Sequence, residues 1–277
     1  MGFRLPLMHR RILFLILFLG FVSSRLLAAA DLGVAPSSLF GTTTCEGAYA
    51  GHLQGVCTDG RGALYWSWSD NLVKTDVQGR VLATMPVAYH HGDLCFQDGR
   101  IYVAVNFGKF NEPAGQADSW VYVYDGDTLA EVARHPVPEV VHGAGGIAYH
   151  DGVFLVVGGL PEGVDENYLY AYDESFRLLQ RHVLASGYTV KGIQTAAYAD
   201  GAWWFATYGD TRYVMRVDDD FALTGRWVFD ASLGLAPLGN GAWLIGHNEK
   251  SGDQLHRGGV ERVDFDAVKG PRLRRKP

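Results

Sequence analysis

The chain has 277 residues, 48% hydrophobic, 13% aromatic and 19% charged, with 24 Lys and Arg against 30 Asp and Glu for a formal net charge of −6. That mixture builds a buried core and excludes a disordered or fibrous chain. With 35 Gly, 14 Tyr, 14 Phe and 7 Trp, many short aromatic strands cut by tight turns are expected, hence an all-β protein.

Residues 1–30 read as a secretory signal peptide. Arg4, Arg10 and Arg11 precede an apolar run from Ile12 to Val22, and Ala28-Ala29-Ala30 offers a small-residue cleavage site. A run of that length is too short for a stable bilayer span, although Arg25 leaves an uncleaved anchor open. No later segment approaches transmembrane length, so a secreted or periplasmic protein is expected, with no transmembrane span after signal cleavage. Because these residues hold four Arg and no acid, 20 basic residues face 30 acidic ones in the remainder. Nucleic acid is excluded as a partner on that balance, since phosphate binding needs a basic footprint.

A repeat runs through the rest of the chain. Strand-like segments close on Asp76, Asp125, Asp173, Asp218 and Asp264, at intervals of 45 to 49 residues. Upstream of each lies a turn pair: Asp59-Gly60, Asp98-Gly99, Asp151-Gly152, Asp200-Gly201 and Asn240-Gly241. Such pairs supply the positive φ angles of a type I′ hairpin. Each repeat thus reads strand a, Asp-Gly turn, strand b, loop, strand c, short turn, strand d, as in a four-stranded propeller blade. At a mean period of about 47, the 247 residues beyond the leader hold five blades and not six. The expectation is one domain over residues 31–268, a five-bladed β-propeller of four-stranded antiparallel blades, closed by an N-terminal strand from within Ser37 to Ala50. Residues 269–277 read as a basic, solvated tail. Of the cysteines Cys45, Cys57 and Cys95, the first two are a candidate bridge, and no CxxC motif occurs.

In a propeller the a-to-b and c-to-d turns share one face, and the b-to-c loops and blade connections share the other, at the mouth of the central channel. The second set varies in length and polarity, which marks it as the functional face. It gathers His52, His90, His91, His142, His247 and His256, with Gln54, Asn106, Lys191, Gln194 and Asn248 as candidate ligand-binding groups. The same polar groups also suit bonding between blades. His52, His91 and His142 with Asp93 would give nitrogen and oxygen ligands for a divalent metal, Zn²⁺ or Ca²⁺, although no local ligand spacing such as HExxH is present. Asp93 and His91 are the candidate catalytic residues, Asp93 as acid or base, or alternatively as a cap of the His-Gly-Asp turn. Trp66, Trp68, Trp203 and Trp204 are expected to pack between blades.

Leu53-Gln54-Gly55-Val56 and His91-Gly92-Asp93-Leu94 resemble the blade starts of plant-type glutaminyl-peptide cyclotransferases, secreted five-bladed propellers. In that family the second motif carries a catalytic Glu, a position Asp93 matches here. The pattern departs in blade four, where Ile193-Gln194-Thr195-Ala196 stands in place of a segment with two acids. Two function classes follow. One is an extracytoplasmic propeller, expected as a monomer, binding a small polar ligand (a sugar, peptide end or metabolite) at the channel mouth. The alternative is an enzyme on the same site, a metal-assisted hydrolase or a cyclotransferase-like acyl transfer enzyme with Asp93 as acid or base.

Overall fold

Four of the five turn pairs adopt the backbone their residues favour. Asp98 and Gly99 have φ of 48° and 75°, Asp151 and Gly152 46° and 81°, Asp200 and Gly201 52° and 68°, Asn240 and Gly241 53° and 72°. Positive φ at both central residues is the type I′ signature, and its twist matches that of the flanking strands. The first pair behaves differently: Asp59 opens a longer turn, its Oδ1 accepting the N–H groups of Arg61, Gly62 and Ala63. The carboxylate there replaces the tight hairpin with a side-chain-closed loop.

The computed structural model describes residues 1–2, 36–252 and 254–273. The expected leader, apart from Met1 and Gly2, and the last four residues of the expected tail lie outside them. After a short helix at Pro36–Leu39 come β1 (Thr43–Thr44) and β2 (Tyr49–Ala50). Blade one is β3 (Leu53–Thr58), β4 (Ala63–Trp68), β5 (Asn71–Asp76) and β6 (Val81–Pro86). Blade two is β7 (His91–Gln97), β8 (Arg100–Asn106), β9 (Ser119–Asp125) and β10 (Glu131–Pro136). Blade three is β11 (Ala144–His150), β12 (Val153–Gly158), β13 (Asn167–Tyr172) and β14 (Leu178–Leu184). Blade four is β15 (Ile193–Ala199), β16 (Ala202–Thr207), β17 (Tyr213–Val217) and β18 (Leu223–Val228). Blade five is β19 (Leu235–Gly239), β20 (Ala242–Lys250), β21 (Leu255–Asp266) and β22 (Gly270–Leu273). Every pairing within a blade is antiparallel, in the order a-b-c-d.

The core consists of five buried clusters, one at each blade interface. Leu64, Trp66, Trp68 and Leu244 join blades five and one, and Leu94, Ile101 and Tyr65 join one and two. Phe154, Val121 and Ile147 join two and three, Leu169, Trp203 and Phe205 join three and four, and Trp204, Trp243 and Phe265 join four and five. The four singled-out tryptophans therefore pack between blades as expected. Apolar burial of this kind stabilises by about 25 cal/mol per Å² removed from water. Because the fifth interface is filled like the other four, the ring is closed and no inner edge is left exposed.

The expected N-terminal strand closes the fifth blade, as β1 and β2, but it shares that edge with a C-terminal strand. The fifth short turn forms at Asp266, whose Oδ1 accepts the N–H groups of Val268 and Lys269, not at Asp264. It matches the Asp76, Asp125, Asp173 and Asp218 turns, each accepting backbone N–H groups two to four residues ahead. Blade five therefore owns a strand d, β22, which pairs with Val263–Asp266. N-terminal β1 and β2 pair with the other half of β21, at Gly259–Val260 and Leu255–His256. The outer strand is thus shared by both ends of the chain, and Gly270 to Leu273, read as part of a solvated tail, belongs to the blade. The Cys45–Cys57 bridge is absent: all three cysteines are free, with Cys45 and Cys57 buried in different interface clusters. Among the described residues no helix is long and apolar enough to cross a membrane.

Candidate functional site

The starts of the strands a converge on the channel mouth, where a cavity of about 630 Å³ opens. It is lined by His52, Gln54, Tyr89, His90, Asn106, Phe107, Gly108, Phe110, Asn111, Lys191, Gln194 and Tyr208. Blades one, two and four, with the loops between their strands, supply these groups, so residues more than 150 positions apart share one wall. Five of the expected site residues, Gln54, Asn106, Gln194, His52 and His90, meet here, and Lys191 joins them on the rim.

Gln54 organises the floor. Its Nε2 lies 3.1 Å from His52 Nε2, 2.9 Å from His90 Nε2 and 3.0 Å from Ser69 Oγ. For the amide to donate to either ring, that ring must present an unprotonated Nε2 and carry its proton on Nδ1. Burial pushes the His52 ring down to about 4 and lowers His90 as well; His90, His256 and Lys191 add to the depression at His52. Both imidazoles are therefore neutral at physiological pH.

The wall facing Gln54 is the loop after β8. Buried Asn106 shapes it from within, its Nδ2 donating to Gly108 O at 3.0 Å and its Oδ1 accepting from Asp118 N at 2.9 Å. Asn111 then fastens the loop to blade three, its N–H donating to His142 O and its Oδ1 accepting from Leu160 N. Phe110 lies over Gly143 and Gly145; a Cβ on Gly145 would sit 3.0 Å from the Phe110 ring. Asn106 and His142 thus act through the loop: His142 Nδ1 donates to Glu112 O at 2.9 Å, and the ring stacks on Tyr168. Asn106→Ala is expected to release this loop, with faster amide hydrogen exchange at Asp118 and Gly108 and a stability loss of about 1–3 kcal/mol. Unchanged exchange there would show that the side chain does not hold the loop.

The structure does not bring the expected metal ligands together. His91 is fully buried, its Nδ1 donating to Ala88 O at 2.6 Å and its Nε2 accepting from Tyr124 OH at 2.7 Å, so both ring nitrogens are used. His142 is committed to Glu112, and His247 is exposed beside Gly259. Among the described residues no group of three or more His, Cys, Asp or Glu is placed to hold a metal ion. The segment from His247 to Lys250, read as a loop, continues β20; Asn248 Oδ1 accepts from Leu53 N at 3.0 Å and clamps blade five to blade one.

Asp93 lies deeper than the mouth. It is 2% exposed, is not among the cavity's lining residues, and accepts the Ala196 N–H of blade four at 2.9 Å through Oδ2. Burial holds its carboxyl well above the usual range, opposed by hydrogen bonds from the N–H groups of Ala196, Leu94 and Ile147. The carboxyl therefore ties blades two, three and four across the axis, with Gly55 of blade one packed against it. Below it a smaller cavity of about 140 Å³ opens at the other end of the channel, among Cys57, Cys95, Tyr149 and Tyr198.

Sequence reasoning missed the aromatic lining of Tyr89, Phe107, Phe110 and Tyr208, because aromatic residues beside strands read as core. Tyr89 and Phe107 are 70% and 37% exposed, a cost that a structural role alone does not require.

No protein-family model matches the chain, and no curated protein matches its sequence. Solved structures do match. The glutaminyl cyclase of Myxococcus xanthus is 13% identical, with 81% of this chain and 99% of that one covered and a TM-score of 0.53. RS223-Beta-xylosidase is 13% identical, with 82% and 96% covered and a TM-score of 0.55. Identity this low carries the fold and nothing of the chemistry. By that measure the chain is a five-bladed β-propeller with a distant, fold-level resemblance to glutaminyl cyclase.

Proposed function

We propose that the chain is an extracytoplasmic propeller that binds a small polar ligand in the mouth cavity, with Gln54, His52 and His90 as its hydrogen-bonding floor. One observation carries this reading: the Gln54 amide has two hydrogens and faces three acceptors, Ser69 Oγ and the two Nε2 atoms. One acceptor at a time is left for a hydroxyl or amine of a ligand, in a cavity walled by aromatic faces. The leader read in residues 1–30 supports the extracytoplasmic part of this reading. The enzyme reading draws on the fold shared with a glutaminyl cyclase and a xylosidase, yet the lining contains no carboxylate and Asp93 stands beneath it.

A ligand-observed NMR screen of sugars, short peptides and small metabolites tests the proposal, followed by titration of wild type and Gln54→Leu. The expected result is a ligand whose affinity falls about tenfold or more in the variant, the equivalent of about one net hydrogen bond. Equal affinity in both proteins would place binding elsewhere and overturn the reading.

A further inference from the structure

We propose that the ligand of the mouth cavity is a small ring-bearing carboxylate, its anionic group held by Lys191 and its ring lying against Tyr89, Phe107, Phe110 and Tyr208. The inference rests on the mouth-binding reading above and adds the charge of the ligand.

Lys191 is the one residue of the lining with a fixed charge, and no Asp or Glu lines the cavity. In a chain with six more acidic than basic residues, a carboxylate-free cavity facing a lysine is a local reversal of the overall charge. Lys191 takes part in none of the ion pairs found among the described residues. Its backbone is fixed: φ is 60°, its carbonyl accepts from Gln194 Nε2, and Gly192 N closes the turn onto Thr189 O at 3.0 Å. The point from which the Lys191 side chain leaves the backbone is therefore fixed at the cavity it lines.

The surrounding charges point the same way. With His52 and His90 neutral, Lys191 supplies the charge that borders the cavity, so a carboxylate brings in the negative charge that the lining lacks. Lys191 and Asn111 also border a second cavity of about 450 Å³, which carries Glu112 and Glu162. Those two acids repel an anion from that side, which leaves the mouth cavity as its seat. The aromatic walls, two of them with exposed rings, supply the apolar faces that a ring stacks on.

The test pairs phenylacetate with phenylacetamide, and cyclohexanecarboxylate with its carboxamide, titrated by ligand-observed NMR into wild type, Lys191→Met, Lys191→Arg and Gln54→Leu. We expect each acid to bind wild type about tenfold tighter than its amide, this preference to vanish in Lys191→Met, and Lys191→Arg to retain it. Acid and amide binding equally, with both weakened in Gln54→Leu, overturns the carboxylate assignment and leaves the mouth-binding reading intact. An acid preference that persists in Lys191→Met also overturns it. Binding of neither member of either pair overturns the ring-carboxylate assignment, and the mouth-binding reading then falls only if the broader screen also finds no ligand sensitive to Gln54.

Discussion

Gly55→Ala is expected to destabilise the propeller by more than about 3 kcal/mol, enough to prevent folding of a domain of ordinary stability. A Cβ at position 55 would stand 2.6 Å from Asp93 Cα and 2.9 Å from a Leu94 methyl carbon. Asp93 Oδ1 is nearer still, and because the Asp93 Cα is backbone, relief requires β3 and β7 to separate, strands that line the channel all blades share. A control distinguishes this clash from a generic glycine effect. Gly60 has a φ of 68° with nothing within 4 Å of its Cβ position, so Gly60→Ala carries only left-handed strain, about 1–2 kcal/mol. Thermal or urea unfolding of both variants measures the contrast. Similar small losses in both would show that the innermost strands are not packed this closely.

Asp93→Asn is expected to gain stability relative to wild type as pH rises. Burial raises the pKa of the native carboxyl well above the unfolded value of about 3.9. An acid with a raised folded pKa contributes its full stability only below the unfolded pKa. As pH rises, the unfolded chain gains the option of ionising while the buried group stays neutral, and that contribution is lost. The amide of Asn does not titrate and keeps an oxygen for the Ala196 N–H. The stability difference between variant and wild type should therefore be smallest near pH 4 and widen toward neutral pH, with a slope approaching about 1.4 kcal/mol per unit. Comparing the two proteins removes the contribution of every other titrating group. A flat difference from pH 4 to 8 would mean that Asp93 is ionised in the fold. Ligand affinity should be unchanged in Asp93→Asn, because Asp93 does not line the mouth cavity.

The blades were legible in the sequence because their markers are local chemistry. A type I′ turn needs two residues that tolerate positive φ, and the c-to-d turn needs a carboxylate to gather the next N–H groups, so Asp98-Gly99 and Asp173 announce their positions directly. In Asp125, Asp173 and Asp266 the N–H groups of Thr128, Arg177 and Lys269 hold the carboxyl below its usual range, a shared signature of one turn. The fifth blade misled because Asp264 and Asp266 both end β-type segments, and only pairing of Asp264 with Ala242 inside the sheet separates them. Arg272 in β22 made a strand look like a charged tail.

The grouping of residues at the channel mouth was legible by face but not by depth. His90 and His91 are adjacent, yet His90 reaches Gln54 while His91 turns inward to Tyr124. Neighbouring residues around a strand start can face opposite ways, so the choice between two consecutive histidines depends on register that sequence alone leaves open. Asp93 enters the channel below the mouth, where the β7 register shifts between His91 and Leu94. That irregularity has no composition signature, and it separates a buried tie from a group at the cavity wall.

The central proposal is that sequence-distant groups on one channel mouth form a ligand site. A crystal structure of the protein soaked with the tightest-binding fragment tests this most directly. The account predicts the fragment within hydrogen-bonding distance of Gln54 or His90 and in contact with Phe107 or Phe110. A fragment seated instead among Cys57, Tyr149 and Tyr198 at the opposite end of the channel, or on the outer strands, would contradict it.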